Sequence, residues 1–135
     1  MKEVFLDTNY IIALENIAEQ NHHRAVEHWL QFDKRYTMLV TTSFVFDEVV
    51  TFLNSRNQHN TAVRIGNTLL NSNSILFIHI NEELFRKGWQ YFQKHTDKTY
   101  SLTDCISFLV MKQREILSAL TFDKHFQQAG FEILP

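Results

Sequence analysis

The sequence predicts a three-layer α/β fold in which a central parallel sheet is flanked by helices. Short apolar runs alternate along the 135 residues with stretches whose apolar residues repeat at helical spacing. That alternation is the mark of strand–helix–strand units and of a sheet covered on both faces. Only three glycines and one proline occur, the proline at the last position, which argues against collagen-like repeats and turn-rich all-β architectures. The 44% hydrophobic fraction, with twelve phenylalanines, supplies one core, so a single domain over residues 1–135 is expected. No linker, low-complexity tract or internal repeat interrupts it.

Residues 3–7, Glu-Val-Phe-Leu-Asp, are a short apolar run ending in an acid and read as a buried strand. A short helix follows over 9–14. Over 19–32, Ala25, Val26, Trp29 and Leu30 recur at helical spacing and predict an amphipathic helix. Residues 38–41 read as a second strand, and Ser43 is placed to cap a helix over 44–56. The polar stretch 54–60 turns the chain into a helix over 61–71, and the β-branched run 74–80 is a third strand. A helix over 82–95 carries Leu84, Phe85, Gly88 and Phe92 among its repeating positions. Ser101 and Thr103 offer capping hydroxyls for a helix over 104–115. A strand at 116–121, a short helix at 123–128 and a last strand at 131–134 complete the chain.

A formal net charge of −2 does not advertise a general nucleic-acid coat, which is normally strongly basic. The same balance suits a nuclease in which metal ions supply part of the attraction to phosphate. One cysteine, Cys105, excludes an intramolecular disulfide and fits a reducing compartment. No apolar run approaches the ~20 residues needed to span a bilayer. No basic flank joins an apolar stretch and a cleavage site near the N-terminus, so the expectation is a cytoplasmic protein without membrane association.

Four carboxylates, Asp7, Glu48, Asp104 and Asp123, stand where strands end or helices begin. Hard divalent cations are held by oxygens, so acids gathered at one end of a sheet form a cage for Mg²⁺ or Mn²⁺. In parallel sheets ligands bind beyond the carboxyl ends of the strands, where strand order reverses. Each acid also has an ordinary explanation. Asp7 and Asp123 precede helices, so a capping or turn role accounts for either one alone. Asp104 sits in a first helical turn, where the macrodipole favours a carboxylate. Glu48 discriminates. At ~100° per residue it projects between Phe44, Val45 and Phe52, whereas Asp47 points toward Thr51. No Lys or Arg shares that apolar stripe, so Glu48 needs either a cation held jointly with other acids or a buried hydrogen bond.

Taken together, VFLDTN, the helix carrying Phe-Asp-Glu-Val-Val, YSLTDCISF and ALTFDKHF resemble the PIN-domain family, and within it the small ribonucleases that include VapC-type toxins. The resemblance spans essentially the whole chain, with the motifs in the family's order. It implies metal-dependent phosphodiester cleavage of RNA. By motif, Asp7, Glu48, Asp104 and Asp123 take the acidic, metal-ligating positions, and Asn9, Ser101, Thr103 and Thr121 the supporting polar ones. It further implies one or two Mg²⁺ or Mn²⁺ ions and products with 5′-phosphate and 3′-hydroxyl ends. Four like charges without metal should repel, so raised pKa values are expected among the acids. An antitoxin partner and a homodimer follow as family-based expectations. The helices over 44–71, with Val49, Val50, Phe52, Leu53, Val63 and Leu69, are the surface assigned to both.

Two other classes compete. An aspartyl-phosphate-forming phosphohydrolase also places Asp after the first strand, but haloacid-dehalogenase-like enzymes want a second Asp where this chain has Asn9. Receiver domains pair adjacent acids near the N-terminus, and here only Glu3 precedes Asp7. A PIN-like module that binds RNA or protein without cutting is the remaining alternative, and the complete acidic quartet argues against it. The seven histidines form no His-Glu-x-x-His motif and read as surface or helix-end residues, Cys105 as a small core residue, and Trp29 and Trp89 as core aromatics. Arg56, Arg64, Lys87, Lys98, Lys112, Arg114 and Lys124 read mainly as a solvated face. Lys124 and His125, beside Asp123, are the best placed to meet phosphate.

Overall fold

The computed structural model describes residues 1–135. Five parallel strands, β1 (Lys2–Leu6), β2 (Thr37–Thr42), β3 (Ile75–Ile78), β4 (Ser118–Leu120) and β5 (Glu132–Leu134), form one sheet in the order β3-β2-β1-β4-β5. Seven helices connect them: α1 (Thr8–Glu15), α2 (His22–Gln31), α3 (Ser43–Ser55), α4 (His59–Asn71), α5 (Glu82–Lys94), α6 (Leu102–Gln113) and α7 (Lys124–Gln128). The chain runs outward from β1 through β2 to β3, then returns to the other side of β1. Right-handed crossovers therefore put α1–α4 on one face of the sheet and α5–α7 on the other. The packing agrees: α1 contacts α2 and α3, and α3 contacts α4, while α6 contacts α5 and α7.

β1 is central. Phe5 is in register with Val40 of β2 on one side and with Ala119 of β4 on the other. All three are fully buried, with Val45, Val49 and Leu53 of α3 and Cys105 and Phe108 of α6 in the same core. Strand order reverses between β1 and β4, so the crevice expected at such a point opens beside Asp7. On the far face α5 and α6 approach closely at Gly88, where a Cβ would lie 2.5 Å from Ile106 Cγ1. No helix is long and apolar enough to cross a membrane.

Several boundaries differ from the sequence reading, each for a local reason. Thr42, not Ser43, caps α3 by accepting the Val45 N–H at 3.2 Å, because the Ser43 hydroxyl accepts the Ile80 N–H at 3.0 Å. α2 starts at His22 rather than 19. Asn16 turns the preceding residues by accepting the Ala18 N–H on its side chain and the Glu19 N–H on its carbonyl. β4 is shorter than 116–121 because α6 ends through Glu115 in the left-handed region (φ 57°), with Ile116 N–H bonded back to Met111. Ser101 does cap α6, in a capping box with Asp104, so the helix starts at Leu102 and Thr103 lies inside it.

Two helix faces also differ. On α2, Leu30 is 75% exposed, and on α5 Phe85, Trp89 and Phe92 form an exposed aromatic stripe while Leu84 and Gly88 face the core. Trp89 is therefore not a core residue. Conversely Val49, Leu53 and Leu69, read as interface residues, are buried in the core. The surface actually left between α3 and α4 is a groove of about 450 Å³ lined by Phe46, Val50, Val63 and Leu70, with Gly66 at its floor.

Candidate active site

Asp7, Asn9, Glu48, Ser101, Asp104 and Asp123 line one cleft of about 410 Å³ at the carboxyl ends of β1 and β4. Its lining holds no Lys or Arg. Thr121 is buried beneath it, and Thr103, half-buried on α6, does not line it.

Asp7 directly follows β1. It occupies the cap position of α1 but makes no side-chain capping bond, so capping does not explain its carboxylate. At 4% exposure it is the most enclosed acid of the cleft. Thr121 donates its hydroxyl to Asp7 Oδ2 at 2.8 Å. Burial pushes the Asp7 pKa up to about 7. The bonds from Thr121 and the Thr8 N–H oppose the rise, and the charges of Asp104 and Asp123 add to it. Like-charge repulsion, the cause expected from sequence, is present but second to desolvation.

Asp104 is held by the first turn of α6: the Ser101 N–H donates to its Oδ2 at 3.1 Å, while its own N–H donates to Ser101 Oγ at 3.0 Å. Burial raises its pKa, the Ser101 and His125 hydrogen bonds oppose the rise, and the Asp123 charge reinforces it. Asp123 caps α7 by accepting the His125 N–H at 2.8 Å. Its own N–H donates to Thr121 Oγ1 at 3.0 Å.

Glu48 reaches the cleft from α3. Thr8 donates its hydroxyl to Glu48 Oε1 at 2.7 Å, the hydrogen bond that the apolar stripe required. Asp47 is exposed and accepts from Thr51 at 3.3 Å, so the two acids face apart. Asn9 is a brace: its Oδ1 accepts the Phe122 N–H at 2.9 Å and lies 3.1 Å from Thr121 Oγ1. It thereby fixes the turn after β4 that carries Asp123.

Four polar residues of the cleft, Thr8, Glu19, Thr99 and His125, escaped the sequence reading as members of the cluster. Glu19 enters from the turn before α2, and Thr99 and His125 complete the lining. His125 Nδ1 lies 3.2 Å from Asp104 Oδ2 and 3.3 Å from Asp123 Oδ1. The one signal in the sequence was the position of His125 beside Asp123. Lys124, its neighbour, is exposed and outside the cleft.

A divalent cation fits this arrangement. The ligand atoms of Asp104, Asp123 and His125 lie within 4.8 Å of one another. Carboxylates buried together with no Lys or Arg in the lining require protonation or a bound cation to be tolerated. Cys105, adjacent to Asp104, faces the core; burial and the Asp104 charge push its thiol pKa up to about 11, so it is no nucleophile.

Fold and cleft together define a three-layer α/β protein with an acidic group able to hold a metal ion at the switch point of its sheet. The chain belongs to the PIN-domain family, whose profile matches residues 4–132. It is 32% identical over 133 residues to the 23S rRNA-specific endonuclease VapC20 of Mycobacterium tuberculosis, covering 98% of each chain. The crystal structure of VapC20, a sarcin-ricin loop cleaving toxin, matches with a TM-score of 0.85 at 30% identity over 95% of each chain. A toxin–antitoxin complex from Klebsiella pneumoniae shares the fold alone, with a TM-score of 0.66 at 12% identity over 98% of this chain and 96% of that one.

Proposed function

We propose that this protein is a Mg²⁺- or Mn²⁺-dependent endoribonuclease, the toxin of a toxin–antitoxin pair. The observation that carries the reading is the convergence of Asp7, Glu48, Asp104 and Asp123, far apart in sequence, on one cleft without a Lys or Arg. The near-full-length identity to an rRNA endonuclease supports it and makes large-subunit rRNA the first substrate to test.

Asp7, Asp104, Asp123 and Glu48 would hold the cation. When bound, such an ion supplies Lewis acidity toward a phosphoryl oxygen and toward an attacking water. The chain's own groups set up that chemistry. Thr121 orients Asp7, the Ser101 N–H orients Asp104, and Thr8 orients Glu48, so the acids are pre-aimed rather than mobile. Burial raises the Asp7 pKa to about 7, so binding a cation there would favour its ionised form. Attack on phosphorus with departure of the 3′ oxygen leaves 5′-phosphate and 3′-hydroxyl ends.

The groove between α3 and α4 offers apolar surface to an antitoxin segment, and a homodimer completes the proposal. A strictly monomeric protein in solution would count against the dimer. The nuclease reading is tested by incubating the protein and its Asp7→Asn variant with 23S rRNA in Mn²⁺ or Mg²⁺, then with EDTA. Cleavage that needs both the metal and Asp7 is expected, and cleavage by Asp7→Asn at the wild-type rate would overturn the site.

A further inference from the structure

We propose that His125 is a metal ligand through Nδ1, giving the cleft one nitrogen donor beside Asp104 and Asp123 and a preference for Mn²⁺ over Mg²⁺. This rests on the reading that the cleft holds a divalent cation, and it adds to the acidic ligand set a residue of different chemistry.

Octahedral donors about 2.1 Å from an ion stand about 3.0 Å apart along each cis edge. His125 Nδ1 lies 3.2 Å from Asp104 Oδ2 and 3.3 Å from Asp123 Oδ1. An ion bound between these atoms would therefore need little adjustment of the two carboxylates about the shared imidazole nitrogen. Both oxygens also accept one backbone N–H, from Ser101 and from His125 itself, which leaves each a lone pair for the ion.

The ring is also held in place. Its Nε2 lies 3.0 Å from Thr99 Oγ1, and Tyr100 meets it edge-on with centroids 5.3 Å apart. Ligating histidines commonly have the second nitrogen fixed in this way. The partner here is a hydroxyl, which both donates and accepts. Without cation, Nδ1–H donates to Asp104 and Thr99 donates to Nε2. With cation, the Nδ1 lone pair faces the metal and Nε2–H donates to Thr99. One bond serves both tautomers, so the ring changes role without moving.

Selectivity follows from the donor. Mg²⁺ takes oxygen ligands and keeps its waters. Mn²⁺ is also served mainly by oxygens, but as the first member of the transition-metal series it accepts an imidazole nitrogen among them more readily than Mg²⁺ does. One nitrogen in an otherwise oxygen-lined site therefore favours Mn²⁺.

Pulsed electron paramagnetic resonance of the Mn²⁺-loaded protein tests this without reference to activity. The wild type is expected to show ¹⁴N coupling of a directly bound imidazole, and His125→Phe to lose it. Isothermal titration should give about tenfold weaker Mn²⁺ binding in His125→Phe, and a smaller loss in Thr99→Val. Mg²⁺ affinity should stay within about twofold in both. Saturable Mn²⁺ binding without ¹⁴N coupling in the wild type overturns the histidine assignment and leaves the acidic cleft standing. Absence of saturable Mn²⁺ binding overturns the cleft as a metal site and the histidine assignment with it. Should His125→Phe not fold, the wild-type spectrum and Thr99→Val decide alone.

Discussion

Thr121 donates its hydroxyl to Asp7 at 2.8 Å across 114 positions of sequence, joining the turn after β4 to the end of β1. The same oxygen accepts the Asp123 N–H at 3.0 Å. One buried hydroxyl therefore fixes two acids of the cleft relative to each other, and the central strand pair relative to both.

Replacing Thr121 with Val keeps the shape and removes the hydroxyl, leaving a buried carboxylate and a backbone N–H each short of a partner. The expected cost is about 1–3 kcal/mol in urea unfolding. Because the Thr121 bond lowers the Asp7 pKa, its loss moves that pKa up. The acid limb of the rate–pH profile should then shift to higher pH. Thr121→Ser should restore both properties, and an unshifted profile in Thr121→Val would separate Asp7 from the reaction.

Asp7 makes stability depend on pH in a stated direction. Its carboxyl moves from an ordinary 3.8 to about 7 on folding, so between those values the folded state binds the extra proton. Stability of the metal-free protein therefore falls as pH rises through that window, and the penalty is complete above about 7. The penalty is on the order of a few kcal/mol at most. Thermal melts of Asp7→Asn in EDTA should show a flatter pH dependence and a higher Tm at pH 8, with cleavage lost. Added Mn²⁺ should raise the Tm of the wild type more than that of the variant.

Gly88 tests the packing of the far face. A Cβ there would sit 2.5 Å from Cγ1 of Ile106, which is itself fully buried. Gly88→Ala should cost about 1–3 kcal/mol, because neither helix can yield without moving the core. Adding Ile106→Val should return part of the loss, and a chemical-denaturation midpoint unchanged in Gly88→Ala would refute the close approach.

Cys105 should be inert in the native state. Its thiol is fully buried and its pKa is pushed up to about 11. A colourless-to-yellow disulfide reagent at pH 8 should modify no thiol until denaturant is added, then one per chain. Rapid native modification would place the thiol in solvent and reopen a nucleophilic role.

The placement of Asp7 and Asp123 at one end of the sheet was legible because an apolar run that stops at an acid encodes both burial and a crevice. Asp7 after Leu6 and Asp123 in the turn beyond Leu120 follow from that rule. Hydroxyl partners were only half legible. Thr42 and Ser43 are adjacent and equally able to cap, and the choice was made by Ile80, a residue distant in sequence. The facing of α5 was not legible at all. Its repeat fits either Leu84 with Gly88 or Phe85 with Trp89 and Phe92, and only the Ile106 contact turns the glycine side inward. His125 was hidden for the same reason, since Asp104 of α6 and Thr99 of the loop before it meet it only in the folded chain.

Glu48 and Asp47 give the sharpest comparison of adjacent acids. They differ by one residue and one methylene, yet Glu48 lines the cleft with Thr8 on its Oε1, while Asp47 faces solvent and Thr51. Neutralising each should separate them. Glu48→Gln keeps the length and the bond to Thr8 but removes a charge from the proposed cation site, so cleavage at limiting Mn²⁺ should fall at least tenfold. Rising Mn²⁺ should recover part of that loss, because a weakened site is refilled by mass action. Asp47→Asn should stay within about twofold of wild type at every metal concentration, and its stability should change by less than ~0.5 kcal/mol. Equal losses in the two variants would mean that net negative charge on α3, rather than the placement of one carboxylate, is what cleavage requires.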